Sequence, residues 1–129
     1  MMEEKDYTNY WNQPTDFTDE EWDAVVKEFK YVCDMGEDYI HEVTVSKEQS
    51  PSISFTFNVK ENYDTPTDCK SFYIGKRAYG GIIDYCETDA RTVDIYVWHM
   101  LTFCQMIKED FTCSRDRWYW EKKRKGEVA

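Results

Sequence analysis

Only a few side chains in this sequence could do chemistry. There are two histidines, His41 and His99, and five cysteines at positions 33, 69, 86, 104 and 113. A Cys–His nucleophile pair would draw on Cys86 with either histidine, but no spacing ties them together. A reactive thiol also needs a lowered pKa. Zinc needs ligands in close pairs. The closest pair is His99 and Cys104, which fall on different faces of a helix. Neither a metal nor a cofactor is expected.

Asp84, Glu87, Asp89 and Asp94 cluster before and within a long apolar-periodic segment. They could bind Mg²⁺ or act as an acid–base pair, but their simpler role is to cap and charge a helix N-terminus. The run Gly75 to Gly81 (GKRAYGG) has a faint look of a phosphate loop without its Gly-Lys-Ser/Thr ending, and reads better as a basic turn between strands. Should these residues form one site, it would hold Lys76, Arg77, Cys86, Thr88, Arg91 and Asp94 at the start of the long helix. Such a site would bind or hydrolyse a nucleotide-like anion.

Charge is the stronger signal. Residues 1–64 hold 16 Asp/Glu against 5 Lys/Arg, and residues 65–129 hold 10 against 11, giving the net −10. Such a surface repels nucleic acid and attracts basic partners. The exception is Arg115 to Lys125, with 6 basic and 2 acidic residues around Trp118, Tyr119 and Trp120. That segment has the composition of a nucleic-acid contact, yet it could as well pair with the acidic half of its own chain or of a second copy. Direct nucleic-acid binding is disfavoured by the overall field.

The elements that must position these groups follow from periodicity. Residues 1–16 are polar but carry Tyr7, Tyr10 and Trp11, and read as an N-terminal arm. Residues 17–129 read as one α+β domain. Thr18 and Glu21 form a capping box, with Phe17 and Trp22 placed as a hydrophobic staple. Trp22, Val25, Val26, Phe29, Val32 and Cys33 then line one helical face, and Gly36 marks its end.

Alternation predicts strands at Tyr39–Val45 and Ile53–Phe57, then short ones at Ser71–Ile74 and Ile82–Tyr85. A second helix is expected from an Asp89 cap to Lys108, with Val93, Val97, Met100, Leu101 and Cys104 as its stripe. A strand at Phe111–Ser114 and a basic, Trp-rich helix to Lys125 complete the chain. The order α-β-β-β-(β)-α-β-α predicts an antiparallel sheet of three to five strands with about three helices.

An odd number of cysteines and the opening MMEEKDY predict free thiols in the cytoplasm. No apolar stretch approaches the ~20 residues of a membrane span.

From Ile53 onward the chain resembles a group of small proteins from phage and bacterial genomes. Their pattern runs F-N-G, E-T-F, then F-C-K-T-x-R-K-P-Y-D opening a long helix. Phe57-Asn58, Ser71-Phe72, Tyr85-Cys86-Glu87-Thr88 and Asp94 match it, and Ser114, Asp116 and Trp118 follow more loosely. Val59 stands where that group has glycine, Glu87 where it has lysine, and only Arg91 remains of the basic stretch. The resemblance implies a phage or mobile-element origin rather than an activity.

Charge and origin together give the functional expectation. It is a phage-encoded, non-enzymatic accessory protein that binds and inhibits a host protein, plausibly a defence component. Its acidic surface would imitate nucleic acid toward a partner that is basic or nucleic-acid-binding. The expected contact residues are Asp19, Glu20, Asp23, Glu28, Asp34, Glu37 and Asp38. A high aromatic content, 17%, adds a third expectation: self-association through Trp98, Trp118 and Trp120.

Overall fold

The computed structural model describes residues 8–58, 69–78, 83–88 and 92–115. The elements follow one another as β1 (Thr8–Asn12), α1 (Asp19–Met35), β2 (His41–Ser46), β3 (Ser52–Asn58), β4 (Cys69–Gly75), β5 (Ile83–Glu87), α2 (Asp94–Ile107) and β6 (Thr112–Arg115). The α+β class holds, but the architecture differs from one sheet of three to five strands. Two antiparallel sheets of three strands are present, ordered β5-β1-β6 and β2-β3-β4. Two α-helices, not three, occur among the described residues. The expected basic helix lies outside them, as does the Asp89 cap.

α1 forms as its sequence dictates. The Thr18 hydroxyl accepts the Glu21 N–H at 3.1 Å, and the Glu21 carboxylate accepts the Thr18 N–H at 2.8 Å. Two of the helix's otherwise orphaned donors are thereby satisfied. The staple closes as well, with the Phe17 and Trp22 rings 5.7 Å apart. Trp22, Val25, Phe29, Val32 and Cys33 are buried along the inner face.

The helix stops at Gly36, whose N–H bonds the Val32 carbonyl. Glycine is needed there for space rather than for backbone freedom, since φ is −99°. A Cβ at Gly36 would stand 2.8 Å from Ile40 Cδ1 and 3.1 Å from the Tyr96 ring.

In β3, Ile53, Phe55 and Phe57 are fully buried, as their alternation requires. Phe55 stacks on Phe29 of α1, centroids 5.9 Å apart, which seats the helix on this sheet. β2 is different. It begins two residues later than expected, at His41, and most of it faces solvent. A register shift between His41 and Thr44 accompanies Glu42 at φ 45°, so the alternation there is broken by a bulge.

Residues 8–12, expected within an arm, form β1, the middle strand of its sheet. Asn9 pairs with Cys86 on one side and Arg115 on the other. Trp11 is 3% exposed and meets Phe72 of β4 at 5.6 Å, so both sheets share one core. The seam between them is a Cys86 thiol donating to the Ser71 carbonyl at 3.6 Å.

α2 begins at Asp94, with Val93 as an N-cap that makes no side-chain hydrogen bond. Its expected stripe, Val93, Val97, Met100, Leu101 and Cys104, is buried throughout. Ile95 and Met106 face solvent. No described helix is long and apolar enough to cross a membrane.

Candidate protein-binding surface

The seven expected acidic contacts separate into two sets. Asp19 and Glu28 are engaged within the fold. The Asp19 carboxylate accepts a hydrogen bond from the Lys76 ammonium, which with the charge of Lys76 holds its pKa below the usual carboxylate range. Glu28 meets the His99 imidazole at 2.5 Å and ties α1 to α2. Glu20, Asp23, Asp34, Glu37 and Asp38 are exposed, with no ion pair among the described residues.

Two of those five sit among lysines. Lys27 lies one turn after Asp23, and Lys30 one turn before Asp34, the spacing at which opposite charges compensate along a helix. Past Lys30, Asp34, Glu37 and Asp38 follow in quick succession at the end of α1, and a second acidic group, Asp19, Glu20 and Glu21, occupies its first turn. The corner at the end of α1 also exposes Met35 (52%) and Tyr39 (38%). Tyr39 is held by two features. Its N–H bonds the Gly36 carbonyl at 2.8 Å, and its ring stacks on Tyr96 of α2 at 6.4 Å. Ile40 anchors the turn in the core. Residues 34–39 thus expose a thioether, a tyrosine held by Tyr96 and three carboxylates within six positions.

The expected anion site does not assemble. Lys76 and Arg77 follow β4, and Cys86 of β5 sits against Ser71, toward the start of that strand. Five residues of strand separate Ser71 from Lys76, roughly 16 Å. Around Lys76 the backbone is pinned. Its carbonyl accepts from Phe17 N–H and Gln13 Nε2, its N–H donates to the Pro51 carbonyl, and Ala78 N–H donates to Asp16. The cleft beside Lys76 and Arg77 also presents Asp16, which opposes a bound anion.

Thr88 and Asp94 do come together. The Thr88 hydroxyl donates to Asp94 Oδ1 at 2.7 Å, Asn9 Nδ2 donates to the same oxygen at 2.6 Å, and Arg115 Nη2 to Oδ2 at 3.3 Å. Asp94 is 6% exposed, so this carboxylate joins β1, β5, β6 and α2 inside the fold. Arg91 lies outside the described residues.

Trp98, expected at an interface, is covered by the Arg115 guanidinium 4.2 Å above its ring. Trp118 and Trp120 lie outside the described residues. The residues of the thiol–imidazole pair considered above lie apart: Cys86 bonds Ser71, His99 bonds Glu28, and His41 is exposed on β2. Among the described residues no group of three His, Cys, Asp or Glu could hold a metal ion.

The sequence reading missed Met35 and Tyr39 as surface groups. Met35 falls off the apolar stripe of α1, which was a usable signal. Tyr39 falls in a segment whose alternation predicts a strand, and nothing local distinguishes it. Comparison with protein-family models, with curated proteins and with solved structures found no match.

Proposed function

We propose that this chain is a non-enzymatic binding protein that engages a basic protein partner through the corner where α1 ends. The observation that carries this reading is the exposed pair Met35 and Tyr39 edged by Asp34, Glu37 and Asp38. An apolar centre with a charged rim is the anatomy of a protein interface, and a stacked tyrosine loses little freedom on binding. The acidic rim steers a positively charged partner and rejects nucleic acid.

In the phage setting implied by the sequence resemblance, that partner is a host protein with a basic or nucleic-acid-binding groove, and occupancy of the groove inhibits it. The small-anion alternative has less behind it, because Lys76 and Arg77 follow β4 while Asp94 is bonded to Asn9, Thr88 and Arg115 at the start of α2.

The test is affinity capture from bacterial lysate over a salt series with wild type and the variant D34K/E37K/D38K. One partner should be retained by wild type at low salt, released at high salt, and absent from the variant. A partner held equally by both proteins would overturn the proposal.

A further inference from the structure

A second surface has the opposite chemistry. Only five Lys/Arg occur in residues 1–64, and three of them, Lys27, Lys30 and Lys47, line one cleft. Its remaining lining is Trp22, Asp23 and Val26 from α1, Val45 and Ser46 from the end of β2, and Pro51 before β3. The volume is about 600 Å³, and the cleft is broadly open rather than enclosed. Its surface is mostly apolar. With Asp34 one turn beyond Lys30 counted alongside Asp23, three lysines still outnumber two carboxylates here, a positive spot on the most negative part of the chain. β2 is also an edge strand among the described residues, and its bulge leaves Thr44–Ser46 as the regular segment beside the cleft.

We propose that this cleft docks an acidic peptide segment carrying one bulky apolar side chain. That side chain covers the half-buried Val26 and Val45 beside the edge of Trp22. Flanking carboxylates pair with Lys27, Lys30 and Lys47, and the peptide backbone runs along the open edge at Thr44–Ser46. Charge complementarity selects the occupant. A basic peptide would meet three lysines with Asp23 as the one carboxylate in the lining, and an open cleft suits a side chain presented by a chain better than a fully enclosed small molecule. The site is separate from the acidic corner, so a bound partner can touch both surfaces or only one.

The probe is the fluorescein-labelled peptide Ac-EDVFVDE-NH2, with a control peptide in which lysine replaces every acidic position. Wild type should bind the acidic peptide, more weakly as salt rises, and should not bind the control. K27E/K30E/K47E should bind about ten-fold more weakly or not at all, and K27R/K30R/K47R should retain binding. Far-ultraviolet circular dichroism of each variant separates lost binding from lost folding. Amide NMR shifts should concentrate on Val26, Val45 and their neighbours.

D34K/E37K/D38K should not weaken the peptide, which keeps this test independent of the acidic corner. Equal binding of both peptides would overturn the proposal. So would saturable binding of laurate, with the acidic peptide silent, since the cleft would then be a site for an anionic lipid. No response to any probe would overturn it too.

Discussion

Asn9 of β1 donates its side-chain amide to Asp94 of α2 at 2.6 Å, across 85 positions of sequence. With Thr88 and Arg115 on the same carboxylate, this contact fixes where the second helix starts relative to the first strand. Asp94→Ala strands a guanidinium and two neutral donors. It should cost about 3 kcal/mol in urea-induced unfolding. Asp94→Asn keeps an acceptor and should cost clearly less. Equal losses for the two variants would mean that the charge, rather than the acceptor geometry, dominates.

Gly36 tests a different kind of constraint. Gly36→Ala pushes a methyl against Ile40 Cδ1 and the Tyr96 ring, and overpacking of this sort costs about 1–3 kcal/mol. Ile40→Val removes the nearest carbon. The double variant should recover part of the loss, measured as thermal midpoint. Additive destabilisation would show that the backbone rather than the side chain is the limit.

Stability should fall on acidification, with a sign fixed by two exposed carboxylates. Asp19 is held below its ordinary pKa by Lys76, and Asp110 by the Thr15 hydroxyl and Lys108. A depressed folded-state pKa adds stability above the unfolded value, and that stability is lost as pH falls below about 4 through the folded value. Asp84 acts in the other direction, because burial raises its pKa and protonation favours the fold. D19N and D110N should flatten the acid limb of a stability–pH curve, and D84N should steepen it. An unchanged acid limb in all three would show that other carboxylates control it.

The thiols should differ in reactivity. Burial pushes the Cys104 thiol up to about 12 and the Cys33 thiol up to about 11. Both should resist iodoacetamide under native conditions at mildly alkaline pH, because the thiolate is the nucleophile. Cys113 is only partly buried, and Arg115 offsets part of the rise in its pKa, so it should be alkylated before Cys104. Mass spectrometry of timed digests reads the order. Modification of Cys104 ahead of Cys113 would contradict the packing around α2.

The legible parts of this fold were those set by neighbours in sequence. Thr18 and Glu21 announced the start of α1, and the stripe from Val93 to Cys104 announced the buried face of α2. β1 was not legible, because Thr-Asn-Tyr-Trp-Asn has one buried aromatic and no run of alternation. Its strand character comes from β5 and β6, far along the chain. Gly36 was legible as a stop, but the crowding that requires glycine there comes from Ile40 and from Tyr96 on another helix.

The site divides in the same way. The acidic residues were visible as a set, but only the fold assigns Asp19 to Lys76 and Glu28 to His99 and leaves Asp34, Glu37 and Asp38 exposed. Trp98 shows the limit for aromatics, since composition does not foretell the guanidinium that covers it.

The placement of β1 has a consequence for synthesis. Thr8 finds its ladder partner at Glu87, and Asn9 its second partner at Arg115. On a translating ribosome β1 emerges long before either neighbour, while α1 and the hairpins β2-β3-β4 can already assemble from local contacts. Trp11 and Tyr10 remain without their strands during that interval. Nascent chains of increasing length should therefore gain protease resistance in two steps, the second only when β6 has cleared the exit tunnel.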